Sequence, residues 1–161
     1  MGSGHIATYL NDHLAGSVGA LELLEHLEAA HTGTDLGRFA TELRTDVAAD
    51  RQELEELMER LDVTVSRTRQ ASAWLGEKFT ELKLRLDDPS DGALRLLESL
   101  EVLSLGIEGK RGLWRALAAA AEDTPALRLA EYGRLEQRAE DQRGRVEAVR
   151  LEAARKALAP G

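Results

Sequence analysis

The sequence predicts an all-α fold: a bundle of four long helices in two hairpins, with an additional crossover helix between the second and third. Three observations carry this. The 161 residues are 43% hydrophobic and 31% charged, and the apolar residues recur at spacings of three and four, the period of a helix face. Prolines number only three, and the turn-forming clusters are few and widely separated. Finally, the breaks are unequal: two are tight, and one encloses a segment long enough to travel the length of a bundle.

The elements follow in order. The first helix covers about residues 6–30 and stops at His31-Thr32-Gly33. Thr34 or Asp35 caps the second, whose stripe Leu36, Phe39, Leu43, Val47, Leu54, Leu57 and Leu61 has helical period. Asp62-Val63-Thr64-Val65-Ser66 holds three β-branched residues and two capping types, which places a break there. A further helix is expected to about residue 86, with Ala71, Leu75, Phe79, Leu82 and Leu86 on one face. Asp88-Pro89-Ser90-Asp91-Gly92 ends it. The next helix spans about 93–121. Asp123-Thr124-Pro125 then gives a stop, a cap and a proline suited to a first helical position, opening a last helix to about residue 158. The inner stripe of that helix reads Tyr132, Leu135, Ala139, Gln142, Val146, Val149 and Ala153.

Composition narrows the class. The chain has 29 acidic against 21 basic residues and a net charge of -8, a poor match to a polyanion, so no nucleic-acid partner is expected. There is no cysteine, hence no disulfide scaffold, thiolate-bound metal or thiol nucleophile. No apolar run is long enough to span a membrane. The start, Met1-Gly2-Ser3-Gly4-His5, lacks the features of a signal peptide; residues 1–5 read as a disordered lead-in or a cloning remnant. The expectation is one domain over 1–161 in the cytoplasm.

Two helical hairpins joined by one long crossover is ferritin-like connectivity. The stretches Tyr9-Leu10-Asn11-Asp12-His13-Leu14-Ala15-Gly16 and Glu108-Gly109-Lys110-Arg111-Gly112-Leu113-Trp114 resemble small uncharacterised bacterial proteins of this ferritin-like shape. Such a fold raises the question of a di-iron centre, which draws Glu-x-x-His pairs from two helices. Only Glu28-x-x-His31 has that spacing, and the last three long helices contain no histidine. The di-iron pattern is absent.

A polar layer inside the bundle is nevertheless expected. His13 falls among Leu10, Leu14, Leu21 and Leu24; Asp50 lies between Val47 and Leu54; Ser104 and Gln142 interrupt the stripes of the last two helices. With the first turn centred near residue 32 or 33 and the last near 123, His13 sits level with about residue 52, one turn or less from Asp50, and Ser104 sits level with Gln142. The simplest role of such a layer is to fix register through a His13–Asp50 hydrogen bond. The alternative is a metal or small-ligand site using the layer around His13 and Asp50, with Glu101 or Glu108 completing a divalent-ion set. Other clusters read as solvated faces: Glu22, Glu25, His26, Glu28 and His31, and the arginines of the last helix beside an equal run of glutamates.

The functional expectation is therefore a non-enzymatic protein with a structural or interaction role and no cofactor. A homodimer is the expected partner for its long amphipathic helices. The alternative is a metal- or ligand-binding protein, and a third reading is an adaptor or toxin-neutralising partner.

Overall fold

A computed structural model of the chain describes residues 3–66, 77 and 92–160. Within them the order is α1 (Ser3–Ala30), α2 (Asp35–Arg60), α3 (Gly92–Asp123), a 3-10 turn (Pro125–Leu127) and α4 (Tyr132–Ala157). The described structure is all-helical, and no described helix is long and apolar enough to cross a membrane.

The first hairpin closes where its residues demand it. Gly33 takes φ +79°, a left-handed conformation suited to glycine after a helix end. The Thr34 hydroxyl accepts the Gly37 N–H at 3.1 Å and donates to the His31 carbonyl at 2.6 Å, capping α2. A Cβ on Gly37 would lie 2.1 Å from the His31 carbonyl oxygen, so this closure requires glycine.

α2 stops at Arg60, and Asp62 beyond it adopts φ +56°. The next residues are held by the Asn11 side chain, whose amide donates to the Thr64 carbonyl at 3.0 Å and whose oxygen accepts the Ser66 N–H at 2.7 Å. This is the expected break at Asp62–Ser66. The helix expected beyond it, to about residue 86, and the turn at 88–91 lie outside the described residues.

The second hairpin differs from expectation. Pro125 opens a single 3-10 turn rather than the long helix, and α4 begins only at Tyr132. The intervening residues have their own anchors. The Arg128 guanidinium donates to the Ala121 and Glu122 carbonyls at 2.8 and 2.7 Å, satisfying carbonyls at the end of α3. The Tyr132 hydroxyl donates to the Leu127 carbonyl at 2.5 Å, and Leu127 is buried.

Cross-helix ion pairs fix the directions. Between α2 and α4, Asp46 meets Arg145, Asp50 meets Arg138 and Glu53 meets Arg134, so residue numbers rise on one helix as they fall on the other. Between α3 and α4, Glu101–Arg150, Glu108–Arg143 and Arg111–Glu136 follow the same rule. Both pairs are antiparallel. α1 packs mainly on α2 and more sparsely on α3.

The core divides into two clusters. One gathers Leu23, Leu24, Leu27, Leu43, Val47, Leu100, Leu103 and Val146. The other gathers Leu10, Leu14, Leu54, Met58, Leu113, Trp114, Tyr132 and Leu135. Between Val47 and Leu54, between Ile107 and Leu113, and between Ala139 and Val146, the chain places Asp50, Lys110 and Gln142.

Candidate functional site

Asp50 is 2% exposed, and a carboxylate that deep needs several donors to replace water. It has them. Gln142 Nε2 donates to Oδ2 at 2.8 Å, Arg138 Nε donates to Oδ1 at 2.7 Å, and Lys110 Nζ donates to Oδ2. Lys110 Nζ also donates to Gln142 Oε1 at 2.5 Å, so the amide bridges the ion pair with both its ends. Three helices thus contribute to one layer: Asp50 from α2, Lys110 from α3, Arg138 and Gln142 from α4.

Each side chain arrives there by its position in a stripe. Asp50 and Gln142 occupy fully interior positions. Lys110 and Arg138 stand at the margins and reach inward, their aliphatic stems lying along apolar neighbours. Burial pulls the Lys110 ammonium below its ordinary pKa of 10.5; the Asp50 carboxylate opposes that shift, and the Arg138 charge adds to it.

Beside the layer lies a cavity of about 280 Å³ between α1, α2 and α3. Its wall includes Tyr9, His13, Ser17, Val47, Asp50, Leu54, Leu103, Ile107, Lys110, Leu113 and Trp114. Three glycines, Gly16, Gly106 and Gly109, belong to the wall and put no side chain into the space. A Cβ built on any of them meets nothing within 4 Å. The volume is nearly twice the ~150 Å³ of an engineered apolar cavity that takes up benzene.

His13 stands on this wall with its ring edge-on to Tyr9, centroids 4.8 Å apart and planes at 76°. Burial lowers its pKa below 6.5, with Asp12 working against that.

The residues expected from sequence fall out as follows. Asp50 and Gln142 are brought together directly. His13 and Asp50 share the cavity wall, but among the described residues no hydrogen bond joins them; Asp50 is held by Lys110, Arg138 and Gln142 instead. Ser104 is half-buried and outside the cluster, because Lys110, six residues further along α3, is the residue that meets Gln142. The eight residues between Asp123 and Tyr132 move the centre of the second turn and with it the register.

The metal set is not assembled. Glu101 pairs with Arg150, and Glu108 with Arg111 and Arg143. Among the described residues no three His, Asp or Glu side chains are grouped to hold an ion. Near the first hairpin, Glu28 pairs with Arg44. Lys110 and Arg138 are the residues that sequence reasoning missed. The signal for them was indirect: an aspartate in the centre of an apolar stripe requires a cation from a facing helix.

No known protein family matches the chain, and no curated protein or solved structure matches it either.

Proposed function

We propose that the chain is a ligand-binding helical bundle, in which a small, mainly apolar molecule occupies the cavity between α1, α2 and α3. The observation that carries this is the combination in one lining: a largely apolar surface with the buried pair Asp50–Lys110, held by Gln142 from behind, among its few charged groups. Binding sites for small molecules generally pair an apolar surface with a few fixed polar groups. A bundle selected for stability alone would fill this space, since each vacant methylene-sized volume costs stability and each helical glycine costs roughly 0.5–1 kcal/mol relative to alanine. Here three glycines belong to its wall.

The fold reading that goes with this is a ferritin-like arrangement without its metal chemistry. It is supported by the two hairpins and by the antiparallel pairing of α2 with α4. A role in binding fits the layer, whose charged groups hold one another in fixed positions.

Octan-1-ol tests the reading. Titration calorimetry on the full chain is expected to show saturable binding of about one molecule per chain. Gly106→Leu, which places a side chain where the added Cβ meets open space, should abolish it while the helical circular dichroism is retained. Undiminished binding in Gly106→Leu, or no binding in the unaltered chain, would overturn the reading.

A further inference from the structure

Resting on that cavity, we infer that its ligands carry a carboxylate head group, received by the ammonium of Lys110. The argument begins with donors. An ammonium offers three N–H groups, and among the described residues those of Lys110 serve Asp50 and Gln142. One remains, on a side chain that lines the cavity. Asp50 and Gln142 hold Nζ in place, which lessens the entropy lost when an anion is bound there.

Charge points the same way. The layer holds one carboxylate, Asp50, between two cations, Lys110 and Arg138. Within the layer itself the cations outnumber the carboxylate by one, and an anion placed against Lys110 is favoured. The wall also carries Arg51, paired with Glu55, and the carboxylate of Asp12, which bears on His13; Asp46, which acts on Lys110 from outside the wall, is paired with Arg145. A cationic head group would meet Lys110 as a like charge. A neutral one would forgo a bond between two charges.

The size of the space sets the tail. A cavity of about 280 Å³ has room for up to roughly eleven non-hydrogen atoms, scaling from the six of benzene in ~150 Å³. The class is thus a medium-chain carboxylate.

Octanoate, octan-1-ol and octylamine, titrated separately at neutral pH and low ionic strength, separate this inference from the reading beneath it. Octanoate is expected to bind about tenfold more tightly than octan-1-ol, the scale of one charge-assisted hydrogen bond, and octylamine more weakly than either. In Lys110→Met the advantage of octanoate over octan-1-ol should fall below about twofold. Where that variant fails to fold, Lys110→Met with Asp50→Leu removes the whole ion pair and must erase the same preference. Equal binding of octanoate and octan-1-ol by the unaltered chain, or a preference for octylamine, overturns the carboxylate assignment and leaves the cavity reading standing. Octanoate binding that persists in Gly106→Leu places the anion elsewhere and overturns it too. If none of the three binds, both fall together.

Discussion

The two halves of the core are built differently, and the layer between them shows why that matters. The buried residues of the half near the first hairpin are all aliphatic, with Leu24, Leu43 and Leu100 fully enclosed and Phe39 packing on from the margin. The other half contains Met58 and the two rings of Trp114 and Tyr132, whose centroids are 6.5 Å apart with planes 27° from parallel. Leucine and valine from four helices pack together there, with Val47, Leu103 and Ile107 reaching the cavity at its edge. In the second half large rings take up volume that shorter side chains leave, and the space beside Trp114 is still not filled. The Asp50 layer sits at the join, where a misregistered hairpin would put a carboxylate against leucine. Apolar packing tolerates many alignments; this layer accepts one.

The largest expected effect comes from breaking the layer on one side. Asp50→Leu leaves the Lys110 ammonium, whose side chain is 16% exposed, without its carboxylate. Loss of one member of a buried pair costs about 3–5 kcal/mol. Adding Lys110→Met to Asp50→Leu should return much of that loss, since replacing both partners with apolar groups removes the uncompensated charge. Arg138 is half-exposed and can turn to solvent. Urea melts of the two single variants and the double variant check this, and additive losses would show that the residues do not share an interaction.

Truncation compares the halves directly. Leu100 is fully enclosed in the aliphatic cluster, whereas Leu113 is buried but borders the cavity. Leu100→Ala should cost about 3–4 kcal/mol and Leu113→Ala about 2–3, because a side chain bordering empty space has fewer contacts to lose. Thermal melts that show the reverse order would mean that the cavity is closed in solution.

The glycines of the cavity wall should respond with the opposite sign. Gly16→Ala and Gly106→Ala add a methyl that meets nothing within 4 Å and reduce the entropy of the unfolded chain. Each should stabilise by about 0.4–1 kcal/mol. Denaturant midpoints that fall instead would indicate that the glycine backbone, not the absent side chain, is what these positions require.

How much of this was legible in the sequence depends on the kind of residue. The hairpin at Gly33–Thr34 and the break at Asp62–Ser66 could be read, because capping side chains and left-handed positions act locally. Asp50 and Gln142 were visible as polar interruptions of apolar stripes. Lys110 and Arg138 were not, since a long cationic side chain at a stripe margin looks the same whether it reaches outward or inward. Ser104 falls level with Gln142 only if the second turn is centred near residue 123. The 3-10 turn at Pro125–Leu127, held by Arg128 and Tyr132, displaced that centre. Nor could the cavity be read: glycines at 16, 106 and 109 come together only once α1 and α3 face each other.

The smallest effect belongs to His13, and it separates the cavity wall from the ion-paired layer. Burial lowers the folded-state pKa of His13 below 6.5, its ordinary value, with Asp12 opposing the shift. Between the lowered value and 6.5 the unfolded chain therefore binds more protons than the folded one, and stability rises with pH through that window. On acidification below about pH 6.5 the unfolded state is protonated first, and the contribution of neutral His13 is progressively lost. His13→Gln keeps a polar side chain of similar reach but cannot titrate. The difference in unfolding free energy between the unaltered chain and His13→Gln should be constant above about pH 7 and should change steadily below 6.5, in the direction that penalises the unaltered chain. Carboxylates such as Asp50 titrate in both proteins and cancel in that difference. A difference curve that is flat from pH 7.5 to 5 would mean that His13 is as well solvated in the folded chain as in the unfolded one, and that the wall of the cavity it lines is open to water.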